Sequence, residues 1–256
     1  MKTGKIPESV LKRSVLRQLH NRRDEVLLGA GVGEDCAALA LEADEVFVMS
    51  TDPITGTGKE MGSLAVITTA NDLASSGAEP VGVMLTILLP EESEEALLKE
   101  IMRDAEATCE KFHMQILGHT EVSAAVNRPV ISVSGVGKVK KDAMIKTGGA
   151  RPGMDIVVSK WIGIEGTVIL AKERERELLG RYATTFIDRS KDLDAYISVL
   201  SEAAVAARSG VSAMHDITEG GIFGALWEMA EASGVGLEID LKKIPVRQET
   251  IEICEF

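Results

Sequence analysis

Hydrophobic and polar positions along the chain switch repeatedly between a helical and a strand period. Val10, Leu11, Val15 and Leu19 recur at helical steps behind Pro7 and Glu8, which suit a first helical turn and its positive end. Lys12, Arg13, Arg17, Arg22 and Arg23 form the solvated side of that helix. Residues 36–41 and 46–49 read as strands around an acidic turn at 42–45, and residues 54–58 as a flexible connector. A helix over about 60–76 puts Met61, Leu64, Ala65, Thr68, Asp72 and Ser75 on one face; Gly77 stops it and Pro80 prevents a restart. Residues 81–89 make a buried-type strand. Pro90, Glu91 and Glu92 start a helix that runs to about 112. Residues 115–117 form a short strand ending in Gly118-His119-Thr120-Glu121, and 129–137 a further strand.

Loop chemistry at 147–153 marks a boundary. Beyond it the pattern predicts a strand at 155–158, a small-residue helix opening at Gly163, and helices over 195–208 and 222–233. A strand is expected at 237–240 and a last helix follows. Alternating strands and helices point to an α/β or α+β fold. The length of 256 residues allows one large or two moderate domains with ample core. Aromatics make up 4%, so Val, Ile, Leu, Met and Ala must build that core. A formal charge of −12 argues against nucleic acid as a partner. It does not exclude a nucleotide, because a bound cation reverses the local field. Cys36, Cys109 and Cys254 are isolated, without a CxxC pair, so no zinc site or disulfide framework is suggested. With no leader visible, a cytoplasmic location is expected. The apolar run at 81–89 is well short of the ~20 residues that cross a bilayer, so no membrane role is expected.

Three aspartates carry the candidate chemistry. Asp35 follows the glycine turn of Gly29, Gly31 and Gly33; Asp52 ends an apolar strand; Asp72 lies in a helix of small residues. A polyphosphate with a divalent metal needs carboxylate oxygens for the metal and bare backbone N–H groups for the phosphates. Singly, each aspartate also reads as a turn cap or a helix-face group; jointly they suit a metal. Thr68 neighbours Asp72 at i,i+4. Asp216 is either a helix-start cap beside Thr218 or a further ligand. His119 is a loop residue or a base, His215 a packed histidine or a substrate-side group, and Glu121 a further candidate ligand.

Six ordered blocks resemble the AIR synthase-related superfamily. They are Gly4-Lys5-Ile-Pro, Gly31-Val-Gly-Glu-Asp35-Cys-Ala-Ala, Ser50-Thr-Asp52, Asn71-Asp72-Leu-Ala-Ser-Ser-Gly-Ala, Gly118-His-Thr-Glu121 and His215-Asp216-Ile-Thr-Glu-Gly-Gly221. The run from Gly220 through Asp240 to Arg247 resembles the HypE-like hydrogenase maturation branch. The resemblance implies a PurM-like two-domain α/β (α+β) architecture: a mixed sheet with flanking helices over 1–148, and an incomplete α/β domain over 149–256. It implies ATP and Mg²⁺, with Asp35, Asp52, Asp72 and Asp216 on the metal, and Lys5, Asp72 and Asp216 in catalysis. Lys5, Gly31, Gly33, Asp35, Thr68, Gly118, His119 and Thr120 would bind nucleotide, the last stretch as a nucleotide-side loop. It also implies a homodimer through the first domain and another maturation protein as partner. The activity expected is activation of a carboxamide oxygen by phosphoryl transfer and dehydration. The alternatives are a small-metabolite kinase of the thiamine-monophosphate kinase type and a non-catalytic nucleotide-binding scaffold. Three departures bear on this. Thr3 and Gly4 precede Lys5, so the reactive cysteine of selenophosphate enzymes is missing. Cys254 matches the middle of the family's second domain and not the acceptor cysteine of a HypE tail. The latter part of that domain is expected to be absent, in a truncated or naturally short form.

Overall fold

Residues 81–89 are apolar apart from Gly82 and Thr86, and with Glu79 and Pro80 they become the central strand of the sheet. The computed structural model describes residues 4–5, 8–30, 38–55, 59–124, 126–218 and 220–256, with Gly4, Lys5, Glu8 and Ala38 given by their backbone alone. The strands are β1 (Gly4–Lys5), β2 (Val26–Leu28), β3 (Ala38–Leu39), β4 (Glu45–Ile54), β5 (Glu79–Leu89), β6 (Gln115–Ser123) and β7 (Val130–Lys140). The helices are α1 (Glu8–Val10), α2 (Met61–Ser75), α3 (Glu95–Phe112), α4 (Ile164–Glu173), α5 (Glu175–Leu178), α6 (Thr184–Lys191), α7 (Leu200–Arg208), α8 (Gly221–Ser233) and α9 (Gln248–Cys254). A wide turn at Leu11–Val15 and a narrow one at Leu16–Gln18 continue α1. Two units result: Met1–Ala74 with Ala78–Met144, and Ser75–Gly77 with Ile145–Phe256.

The first unit is built on a five-stranded mixed sheet of order β1-β6-β5-β7-β4. The pair β5–β6 is parallel and the other pairs antiparallel. A parallel pair needs a crossover, and α3 provides it. Cross-strand register aligns Asp52, Val133, Leu85 and His119 in one row, and Thr51, Ser134, Met84 and Gly118 in the next. Because successive residues of a strand face opposite sides, the first row shares its face with buried Val83, Ile87 and Leu89. Helix α2 packs on this face, and Gly62 lets α3 lie close beside it, since a Cβ there would strike the Ile101 carbonyl. The opposite face carries Phe47, Met49 and Met84, of which Met49 is 68% exposed.

In the second unit, Ala171, Leu178, Ile187 and Ile253 pack with Tyr182 and Phe186. Ile164, Val168 and Leu193 form a smaller cluster with Trp161 and Ile197. A hydrogen bond from the Thr167 hydroxyl to that of Thr250, 2.8 Å, ties α4 to α9.

Several expectations are corrected here. Residues 155–158 and 237–240 are not strands, and Val157 is 89% exposed. A strand exists through its neighbours, and among the described residues the second unit holds only one bridge, Ile162 to Val246. Pro90, Glu91 and Glu92 lie before α3, which begins at Glu95. The helix expected over 195–208 is divided into a narrow turn at Asp192–Tyr196 and α7. Gly118, His119 and Thr120 are not a loop: β6 runs straight through them to Ser123. The parallel partner β5 is long enough to pair with every one of these residues.

Candidate functional site

The strand β4 continues past its apolar stretch, so Ser50 and Asp52 stand two apart on the face covered by α2. On α2, Thr69 and Asp72 are three apart and therefore neighbours. The two pairs interlock. The Ser50 hydroxyl donates to Asp72 Oδ2, and the Thr69 hydroxyl donates to Asp52 Oδ2 at 3.0 Å. Each element thus supplies one carboxylate and holds the other's. The approach depends on Gly135, opposite Ser50 in β7: a Cβ there would run into Thr69 Cγ2 and meet Leu73 Cδ1 at 3.0 Å. Ser50 and Thr69 were missed as functional residues in the sequence, although the two-residue and three-residue spacings to the acids were there to see. Thr68, the expected neighbour of Asp72, instead donates to the Leu64 carbonyl of its own helix, 3.1 Å away.

The other expected residues are distributed as follows. Gly31, Gly33 and Asp35 lie outside the described residues, as does Cys36. Lys5 is described by its backbone alone, paired with Val122 of β6. His119 is on the covered face, its Nδ1 2.8 Å from Glu121 Oε1 but not aligned as a hydrogen bond; the side chains are 5% and 2% exposed. Thr120 falls on the open face and is exposed. Three strand spacings separate the Asp52 and His119 backbones, about 14 Å, too far for both to bind one ion directly. In the second unit, His215 Nδ1 is 3.3 Å from Asp216 Oδ1 and its Nε2 is 2.8 Å from Glu228 Oε2. The Asp216 carboxylate raises the imidazole pKa above its ordinary value, burial opposes this, and Glu228 adds to the rise.

Among the described residues no group of three or more His, Cys, Asp or Glu side chains is arranged to hold a metal. The interlocked pair Asp52 and Asp72 nevertheless fits a hard divalent cation in kind: both donors are carboxylates and both are pre-oriented by hydroxyls. None of the described helices is long and apolar enough to cross a membrane.

A mixed sheet backed by helices, a separate second unit and acidic side chains clamped at a strand–helix crossing define a two-unit α/β protein. The chain belongs to the AIR synthase related proteins: the model of their N-terminal domain matches residues 33–139 and that of their C-terminal domain residues 151–256. Within that family its relatives include hydrogenase maturation proteins of the HypE kind. A putative hydrogenase expression/formation protein of Methanocaldococcus jannaschii is 32% identical over 99% of this chain and 75% of its own length. Carbamoyl dehydratase HypE of Rhodobacter capsulatus is 32% identical over 90% of this chain and 65% of its own, so the chain spans about two thirds of that relative. A crystal structure of hydrogenase maturation protein HypE in complex with ATP shares the fold, with a TM-score of 0.79 at 22% identity over 97% of this chain and 72% of that one. Thiamine-monophosphate kinases match as well.

Proposed function

We propose that this protein binds ATP with Mg²⁺ and activates the oxygen of a carboxamide, as a HypE-like carbamoyl dehydratase in hydrogenase maturation. The observation that carries the reading is the reciprocal clamp in which Ser50 and Thr69 orient Asp72 and Asp52. Asp35, Asp52 and Asp72 would hold the metal, with Asp216 a further carboxylate of the set. When bound, Mg²⁺ neutralises charge on the phosphates. The clamp keeps two carboxylates fixed so that no reorganisation is needed as charge shifts during transfer. Gly31 and Gly33 would offer backbone N–H groups to the phosphates, and Lys5 would support the terminal phosphate. In the reaction the amide oxygen bonds to the terminal phosphorus and ADP leaves. That oxygen then departs as phosphate while the nitrogen gives up its two protons, and a nitrile remains. The amide must be delivered, which makes a second maturation protein the expected partner. The open sheet face with Phe47, Met49 and Met84 supports a homodimer through the first unit.

Calorimetry of ATP binding with and without Mg²⁺, followed by phosphate release with a thiol-carried carboxamide, tests the reading. Metal-dependent binding and amide-stimulated release are expected. Binding without turnover favours a scaffold, and release stimulated only by a small phosphorylated metabolite favours a kinase. Absence of metal-dependent binding removes the proposal.

A further inference from the structure

We infer that Glu228 and His215 form a positioning relay that orients Asp216. The inference rests on the proposed metal role of Asp216. His215 and Asp216 lie in an irregular segment with little backbone support: Met214 N–H donates to the Lys146 carbonyl at 3.3 Å, and the Gly221 N–H to Thr218 at 3.0 Å. A carboxylate on such a segment needs a side-chain partner to fix its direction. The imidazole provides one, with Nδ1 toward Asp216 and Nε2 toward Glu228 on α8. Helix α8 is anchored by buried Ile222, Ala225 and Leu226, so Glu228 has a firm base.

The second observation is on Asp216 itself. Its side chain is 8% exposed, and Oδ2 is buried with no hydrogen-bond partner among the described residues. A desolvated carboxylate oxygen is costly until something meets it. One oxygen is held by the relay and the other is kept in need of a cation or a donor. His215 is not itself a ligand in this arrangement, because both ring nitrogens face carboxylates. It acts on the metal through Asp216, as outer partners of metal ligands commonly do.

The full chain is tested by two measurements. Nitrogen NMR of the His215 imidazole, without metal, reports the contacts. Calorimetry of Mg²⁺ with a non-hydrolysable ATP analogue reports the consequence. Glu228→Gln is expected to move the Nε2 resonance and to weaken Mg²⁺ about 10-fold, with circular dichroism unchanged. His215→Asn, which keeps a donor near the Nδ1 position, should retain more affinity than His215→Gln, which does not. Adding Glu228→Gln to His215→Asn should cost nothing further, since the relay is already cut. Unmoved imidazole resonances in Glu228→Gln would refute the contact. Mg²⁺ affinities within about two-fold of the parent for all these variants, with loss in Asp216→Asn, would refute the relay and leave the metal role standing. Unchanged affinity in Asp216→Asn would remove the metal role, and the inference with it.

Discussion

Asp52 and Asp72 are steered by hydroxyls on the backbone elements they face, whereas Asp216 is steered by an imidazole that leans on a second acid. In the first unit the support is the scaffold. β4 pairs with β7 along all ten of its residues, and α2 buries Val66, Ala70 and Leu73 completely. In the second unit the acid lies outside any helix or strand, and the support is made of side chains. Direction can therefore come from a packed element or from a chain of polar contacts. The first resists change at remote polar residues. The second transmits it.

The sharpest way to break the comparison is to neutralise the clamped acids. Asp52→Asn and Asp72→Asn keep an oxygen that accepts the hydroxyl but lose the charge. Each should weaken Mg²⁺-dependent ATP binding by more than the ~10–100-fold typical of an outer-shell change. Circular dichroism should be unchanged, and calorimetry reads the affinity. Equal binding by both variants would detach the clamp from the nucleotide.

Next in size is Gly135→Ala. The added methyl meets Thr69 Cγ2 and Leu73 Cδ1, so α2 must shift away from β7. Overpacking of this kind costs about 1–3 kcal/mol. Thr69→Ser removes the offending methyl and keeps the hydroxyl. The double variant should recover much of the unfolding midpoint lost in Gly135→Ala. Recovery would show that the glycine serves the clamp; an unimproved double variant would assign the damage to Leu73.

Much of the first unit was legible because long periodic segments report their own type. The α2 pattern and the apolar run of β5 announced themselves, and both elements stand where the pattern placed them. The Gly118–Glu121 stretch misled because glycine and polar residues suggest a loop, while β5 offers a backbone ladder that overrides local preference. Residues 155–158 and 237–240 misled in the opposite sense. The β-branched run at 156–158 and the alternation at 237–240 suit a strand, but a strand also needs an edge to pair with. Of the site, the acids were visible and their partners were not. Ser50 and Thr69 are ordinary residues until a strand and a helix cross, and Glu228 is twelve residues from Asp216 with nothing in the sequence to connect them.

Thr68 and Thr69 offer a smaller contrast on one helix. The Thr68 hydroxyl returns to the Leu64 carbonyl, which already belongs to the helix ladder, so Thr68→Val should lie within about 0.5 kcal/mol of the parent. The Thr69 hydroxyl reaches a carboxylate, and bonds to charged groups are worth about 1.5–3 kcal/mol. Thr69→Val should lower the unfolding midpoint and weaken Mg²⁺ binding together. Denaturant unfolding of the two variants settles the order, and equal effects would mean that Asp52 does not depend on Thr69.

The smallest effects concern pH, and they separate the units by sign. Arg23, aided by Lys138, holds the Glu25 carboxyl down to about 2 from an ordinary 4.5. Its folded pKa is depressed, so the stability it lends the first unit is present above 4.5 and is lost as pH falls toward about 2. His215 is shifted the other way, upward from 6.5. The stability it lends the second unit is full below 6.5 and is lost as pH rises through the raised value. Hydrogen exchange followed across pH should show first-unit amides near Glu25 losing protection on the acid side, and amides near His215 losing it on the neutral-to-basic side. Glu25→Gln should flatten the acid limb without touching the other, and Glu228→Gln should do the reverse. A single limb common to both units, unmoved by either change, would mean that these contacts are too solvated to be felt and that the acid networks of the two units do not differ in kind.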